Sequence, residues 1–295
     1  MRVAVTGSHG LIGSALIRSL ERDGHAVVRL VRGEPSGPGE VRWDPQGGTV
    51  DLDGLHGVDA AVNLAGAGVG DHRWTDRYKR EIRDSRVLGT RTLVKALTTL
   101  EPVPTVLVSG AAIGFYGERG DEVLTEESPK GDAFLARVVA DWEAEANAAQ
   151  SAGIRVATIR SGLVMAPHGG AFGPLLLLTR FGLGGPLGSG RQWWSWITLE
   201  DEIRAIRFLL EHDLSGPFNL TGPAPARNRE VVRTLGRALK RPTLLPAPAF
   251  ALRMALGEFS GEVLVSQRVV SDKLRNAGFE FAHPTLESAV DWLVH

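Results

Sequence analysis

Apolar residues recur at two different periods in the first half of this chain. Val3–Val5, Ala26–Val31, Ala60–Leu64, Thr105–Val108 and Arg155–Ile159 are short apolar runs, with another short run at Val41–Trp43. Between them the spacing becomes helical. Leu11 to Arg22 places Leu11, Ile12, Ala15, Leu16 and Leu20 on one face. Asp76 to Leu100 does the same with Ile82, Val87, Leu93, Val94 and Leu97, as one helix or two, and Ala133 to Gln150 reads as a further helix. Strands separated by helices predict a parallel sheet covered on both faces, because parallel neighbours need crossover connections.

The second half is different. Ala166 to Gly190 is rich in Gly, Pro and Leu. Shorter pieces follow: a helix at Asp201–Glu211, a strand at Phe218–Leu220 and a helix at Asn228–Leu239. Pro242, Pro246 and Pro248 then stiffen the chain before Ala249–Leu256 and a last helix near Leu286–Leu293. The expected division lies near Pro167, with residues 1–166 as one domain and 167–295 as a smaller α+β region packed against it.

Composition narrows the function classes. The 295 residues are 43% hydrophobic and 23% charged, an ordinary globular balance. The formal charge of -1 supplies no basic field for nucleic acid or an anionic membrane, so neither is an expected partner. With no cysteine, disulfides, zinc-thiolate sites, iron–sulfur clusters and a thiol nucleophile are excluded, and no metal site is expected. Met1-Arg2-Val3 leads straight into a strand, so no secretory signal is expected. The apolar stretch from Ala171 to Leu187 is broken by Arg180, Gly and Pro, and falls short of the ~20 residues of a membrane span. The expectation is a cytoplasmic monomer or homodimer acting on a small-molecule substrate.

The strongest local signal is Thr6-Gly7-Ser8-His9-Gly10-Leu11-Ile12-Gly13, between the first strand and the first helix. Glycines there permit a tight turn (Gly7), approach of a pyrophosphate (Gly10) and close helix–sheet packing (Gly13), while the helix start offers free amides and a positive dipole end. The fold class that follows is α/β, a Rossmann-type doubly wound parallel sheet. An acidic residue ~20 positions on would accept from the ribose hydroxyls of NAD. Here the second strand ends Leu30-Val31-Arg32-Gly33, and Arg32 suits the 2′-phosphate of NADP(H), with His9 as a further donor. The alternative is Arg32 as a solvated charge and Glu34 as the ribose ligand. Other strand ends carry small residues as well: Asn63-Leu64-Ala65-Gly66, Ser109-Gly110-Ala111-Ala112 and Arg160-Ser161-Gly162. The expected cofactor contacts are Gly7, His9, Gly10, Leu11, Ile12, Gly13, Arg32, Leu64, Ala65, Gly66, Ser109 and Arg160.

These segments resemble the short-chain dehydrogenase/reductase superfamily in its extended branch, whose T-G-x-x-G-x-x-G spacing matches Thr6–Gly13. More closely, the chain is similar to the atypical epimerase family proteins of that branch. The matching segments include Arg73-Trp74, Asp84-Ser85-Arg86, Phe115-Tyr116-Gly117, Asp141-Trp142-Glu143, Gly188-Ser189-Gly190, Ser195-Trp196-Ile197 and Phe218-Asn219-Leu220-Thr221. From about Pro242 onward the chain resembles that group's extra domain of unknown function.

The resemblance implies an NADP(H)-dependent oxidoreductase or epimerase, and also an atypical mechanism. The superfamily uses a Tyr with a Lys four residues later, plus a Ser on the fifth strand. The helix Phe134–Glu143 has neither Tyr nor Lys, and the Ser position falls at Ala111 or Ala112. Tyr116, expected at the mouth of the site or alternatively a core or wall aromatic, and Ser109, alternatively a hydroxyl that only caps nearby backbone, are the candidate catalytic residues. Arg191, Gln192 and Trp196 are the candidate substrate contacts, with Trp196 alternatively a buried hinge. Arg73, Trp74, Lys79 and His168 are further residues near the expected site, and Asp201 is expected to place the helix that follows it. The competing reading is a non-catalytic NADP(H)-binding sensor or scaffold, motivated by the joint loss of Ser, Tyr and Lys.

Overall fold

The computed structural model describes residues 1–170 and 172–295; Ala171, where the apolar stretch to Leu187 begins, lies outside the described residues. The strands are β1 (Arg2–Thr6), β2 (Ala26–Val31), β3 (Glu40–Asp44), β4 (Thr49–Val50), β5 (Ala60–Asn63), β6 (Val106–Ala112), β7 (Val123–Leu124), β8 (Arg155–Ser161), β9 (Leu163–Met165), β10 (Trp193–Trp194), β11 (Trp196–Thr198), β12 (Gly216–Leu220), β13 (Ala226–Arg227) and β14 (Arg268–Val269). The helices are α1 (Leu11–Arg22), α2 (Asp76–Leu97), α3 (Phe134–Asn147), α4 (Gly173–Arg180), α5 (Leu199–Glu211), α6 (Asn228–Leu239), α7 (Ala249–Leu256), α8 (Ser260–Leu264), α9 (Asp272–Asn276) and α10 (Leu286–Val294).

Eight strands form one sheet in the order β12-β8-β6-β5-β1-β2-β3-β4, parallel except for the β3–β4 pair. The chain starts in the middle at β1, moves outward to β2 and β3, then crosses back to β5, β6 and β8. The order therefore reverses between β1 and β5, which opens a crevice at their carboxyl ends. This is the expected doubly wound fold.

Alternation along β1 divides the core. Val3 and Val5 point to the face covered by α1 and α5, where Leu16, Leu20, Ile206 and Leu209 pack. Ala4 points to the other face, where Leu93, Leu97 and Ala146 of α2 and α3 pack. A separate cluster of Phe172, Trp194, Trp196, Val231, Leu235, Leu286 and Leu293 builds the smaller body.

Strands β6 and β8 run past their apolar stretches, to Ala112 and Ser161, because backbone pairing continues where the side chains become small or polar. Apolar runs mark burial, and the ladder outlasts them. Asp76–Leu97 is a single helix, capped by the Thr75 side chain. Strand β12, from beyond the expected division at 166/167, pairs with β8 in the large sheet, and β11 from the same half pairs with β9. Among the described residues, no helix is long and apolar enough to cross a membrane.

Candidate functional site

The glycine turn after β1 is built for close approach. Gly7 has φ +66°, and a Cβ on it would lie 2.6 Å from the Leu64 carbonyl oxygen. A Cβ on Gly13 would lie 2.2 Å from the Gly7 carbonyl oxygen. The nearest atom to a Cβ on Gly10 is that same oxygen, at 3.2 Å, a tight contact that a shift of a few tenths of an ångström would relieve, so Gly10 is less constrained by packing than Gly7 or Gly13. Gly10 is exposed, and it precedes α1 without a side-chain cap or an acidic residue in the first turn. The amides of half-buried Leu11 and Ile12 thus open a positive helix end toward the crevice. Added side chains would fill this cradle, which fits a pyrophosphate.

A buried polar network holds the neighbouring strand end. Thr6 Oγ1 donates to Asn63 Oδ1 (2.7 Å) and accepts from the amides of Leu64 and Ala65 (3.0 and 3.1 Å). Asn63 Nδ2 donates to Thr90 Oγ1 (2.8 Å) and Ser109 Oγ (3.2 Å). Leu64, Ala65 and Gly66 are thereby pinned beside the glycine turn, with Gly66 exposed. Ser109 is fully buried inside this network. A group without accessible surface touches no ligand, so the expectation of a catalytic or cofactor-contacting Ser109 is corrected to a structural role.

At the end of β2, Arg32 is exposed and makes no ion pair among the described residues. Glu34, the alternative ribose ligand, is held by Arg42 at 2.5 Å. His9 is exposed, with its Nδ1 3.2 Å from Ser8 Oγ. Behind Gly66 lies a cation that sequence reasoning passed over. A Cβ on Gly66 would sit 3.0 Å from Arg86 Cζ. Arg86 donates to the carbonyls of Ala67 (2.9 Å) and Ile82 (3.0 Å) and stacks on Trp142, without a carboxylate partner among the described residues. Burial lowers its pKa to about 10, which still leaves it charged at neutral pH. Its place in Asp84-Ser85-Arg86 was the available signal.

Tyr116 and Arg160 are not where the sequence suggested. Tyr116 has no exposed surface; its hydroxyl donates to Asn219 Oδ1 (2.6 Å) and accepts from Arg160 Nη1 (3.0 Å). Burial raises the hydroxyl pKa, against the pull of the Arg160 charge. Arg160 donates to both carboxylate oxygens of Glu143 (2.7 and 2.9 Å) and to the Glu126 carbonyl, and its guanidinium lies 3.6 Å from the Phe115 ring centre. The two residues join β8 to α3 and β12 beneath the crevice. Tyr116 thus sits in the core rather than at the mouth, and Arg160 is 4% exposed with its guanidinium turned to Glu143, so the structure places both beneath the crevice.

The expected substrate contacts separate. Arg191 is exposed. Gln192 is buried and donates to the Leu187 carbonyl (3.0 Å). Trp196 is 1% exposed within the smaller body's core, with Gly222 leaving room for its ring; its buried-hinge alternative describes it. Arg73 donates to the carbonyls of Met254 and Ala255, Lys79 pairs with Glu258, and Trp74 packs on Phe134 and Phe259. These three tie the loop after β5 to the C-terminal segment. His168 is exposed. Asp201 accepts from Thr198 Oγ1 beneath it and from the amides of Ala282 and His283, fastening α5 to the chain's last fifth.

The final residue of β8 carries a hydroxyl with an unusual partner. Ser161 is half-buried, and its Oγ is 2.5 Å from Glu202 Oε1 on α5. Glu202 is fully buried, and its Oε2 has no hydrogen-bond partner among the described residues. Burial pushes its pKa up to about 8, with the Ser161 hydrogen bond opposing. Periodicity offered no warning, because Glu202 sits in the first turn of a helix, where acidic residues are ordinary.

Residues 3–221 match the NAD dependent epimerase/dehydratase family, and residues 247–293 match a domain of unknown function, DUF1731. An epimerase family protein of Mycobacterium leprae is 44% identical over 292 residues, covering 98% of this chain and 94% of that protein. The chloroplastic epimerase family protein SDR39U1 homolog of Arabidopsis thaliana is 37% identical, over 98% of this chain and 86% of its own. The crystal structure of human epimerase family protein SDR39U1 (isoform 2) with NADPH superposes with a TM-score of 0.90 at 32% identity, covering 100% of this chain and 99% of that one. The matched span holds the whole large sheet, the glycine turn and the crevice at the β1–β5 reversal, and on that match this chain belongs to the NAD dependent epimerase/dehydratase family.

Proposed function

We propose that this protein binds NADP(H) in the crevice and acts as an oxidoreductase or epimerase-like enzyme on a small carbonyl or hydroxyl compound, without the usual Ser, Tyr and Lys. The observation that carries the cofactor choice is the contrast at the end of β2: Arg32 is exposed and unpaired among the described residues, while Glu34 is engaged by Arg42. A 2′-phosphate is recognised by such a cation, whereas the Glu34 carboxylate shares one oxygen with Arg42 and would repel that phosphate. The NADPH held by human SDR39U1 supports the same reading.

The amides at Leu11 and Ile12 hold the pyrophosphate where it passes the bare Gly10, whose own amide closes the turn onto the Gly7 carbonyl (2.9 Å), and Leu64, Ala65 and Gly66 border it. With the adenosine end at β2, the nicotinamide end falls on the opposite side of β1, toward β5, β6 and β8. The bound cofactor supplies or takes hydride; the protein supplies orientation and the proton. Arg86 adds a half-buried positive charge behind Gly66, on the helix pair where the superfamily's Lys is missing. The test is a screen of aldehydes, ketones, quinones and sugar nucleotides that follows the absorbance of the reduced nicotinamide. Turnover of one class supports the reading; NADPH binding with no turnover across all four favours the sensor alternative.

A further inference from the structure

Strand β6 ends in Ala111 and Ala112 without a hydroxyl, and the neighbouring strand end carries one. Ala112 on β6 is the in-register partner of Ser161 on β8. In-register residues of parallel neighbours project to the same face, ~4.8 Å apart in the pairing direction. The preceding residue, Arg160, turns to α3 and Glu143, so alternation sends Ser161 toward α5 and Glu202. Both strands end here, at the crevice, and Ser161 keeps accessible surface while Glu202 behind it has none.

We propose, resting on the NADP(H) reading above, that Ser161 Oγ is the hydroxyl that exchanges a proton with the substrate oxygen, and that Glu202 acts through Ser161 as its proton reservoir. When a substrate carbonyl gains hydride at carbon, its oxygen takes the proton from Ser161 Oγ. Ser161 recovers a proton from Glu202 Oε1, Glu202 is left as the carboxylate, and water from the crevice reprotonates the pair. Oxidation of an alcohol runs the same transfers backward. Ser161 is the catalytic residue in this scheme and Glu202 a positioning and proton-supplying residue.

Glu202 is suited to the task because it holds its proton at neutral pH. Burial raises its pKa, opposed by Ser161 alone. The neighbouring elements carry few charges. Strands β6, β9 and β11 have none. On β8, Arg160 is turned to Glu143 and Arg155 to the carbonyls of Leu209, Leu210 and Leu214. On α5 itself, Arg204 pairs with Asp201, Arg207 with Asp23 and Glu211, and Glu200 with His283. On α1, Glu21 pairs with Arg29, and Arg18 and Arg22 complete its charges.

The experiment uses the full chain and needs no substrate. NADP⁺ and NADPH are titrated calorimetrically at pH 7 in phosphate and in Tris, and the difference in heats gives the protons exchanged. The oxidised nicotinamide is cationic, so a nearby acid ionises more readily beside it. The parent protein is expected to release about half a proton more with NADP⁺ than with NADPH, and Glu202→Gln to abolish that difference while still binding both. Equal proton counts in the parent, or an undiminished difference in the variant, overturn the proposal. Infrared spectra of the cofactor-free protein provide a second readout: a protonated carboxyl band at pH 7 that disappears in Glu202→Gln supports it, and its absence from the parent overturns it. If neither cofactor gives heat, the dinucleotide reading fails and the proposal falls with it; binding without a proton difference removes only the proposal.

Discussion

The α-carbon of Gly13 faces the carbonyl oxygen of Gly7 so closely that one added methyl group would lie 2.2 Å from it. Helix α1 can therefore start where it does only because neither position carries a side chain. Gly10 stands between them with a different constraint, since the same methyl there would meet that oxygen at 3.2 Å.

Gly13→Ala and Gly10→Ala should therefore separate. Gly13→Ala forces a backbone shift and costs about 1–3 kcal/mol in urea denaturation, with at least about a tenfold loss of NADPH affinity. Gly10→Ala changes stability by only about 0.5 kcal/mol but weakens NADPH through the pyrophosphate contact. Calorimetric titration beside denaturation distinguishes the two; equal losses of stability would contradict the geometry.

Tyr116→Phe tests whether that tyrosine is structural. Removing its hydroxyl leaves Asn219 Oδ1 and one Arg160 nitrogen short of a partner. A loss of about 1–3 kcal/mol is expected, with NADPH affinity unchanged within about twofold. Normal stability with lost turnover would restore Tyr116 to the reaction.

Arg160→Met leaves the Glu143 carboxylate in a largely buried place without its bidentate partner. A destabilisation of about 3–5 kcal/mol is expected. Glu143→Gln with Arg160→Met should recover part of it, because the pair's cost lies in the unpaired charge. A null effect of Arg160→Met on the denaturation midpoint would show that the contact is dispensable.

Stability should fall with rising pH because of Glu202. Its ordinary carboxyl value is 4.5 and its folded value about 8. Below 4.5 both states hold the proton. Between 4.5 and about 8 the unfolded chain releases it while the folded chain keeps it, so unfolding gains; above about 8 the penalty is complete. The limit is about 5 kcal/mol. Glu202→Gln removes this slope, so the variant gains on the parent between pH 5 and pH 8.5 in urea melts. Parallel pH profiles would contradict it.

Much of the fold was legible because periodicity reports burial directly. The spans of α1 and α6 match the predicted helices, and the glycine turn follows from its position between strand and helix. The strand ends were less legible. At Ser109–Ala112 and Arg160–Ser161 the side chains no longer report burial, yet the ladder continues. Tyr116 and Arg160 looked accessible because they follow strands, but Asn219 and Glu143, 103 and 17 residues away in sequence, draw them inward. The Arg42–Glu34 pair, which engages one oxygen of the competing ribose ligand, depends on the β2–β3 pairing. Glu202 was invisible because its burial arises only from α5 packing against the large sheet.

The central claim is that Arg32 selects the phosphorylated dinucleotide. Calorimetric titration of the parent protein and Arg32→Asp with NADPH and NADH tests it most directly. The parent should prefer NADPH by at least about tenfold, and the variant should lose or reverse that preference, through weaker NADPH binding and through the new carboxylate accepting from the ribose hydroxyls of NADH. Equal affinity of the parent for both cofactors, or an unchanged preference in Arg32→Asp, would contradict the account.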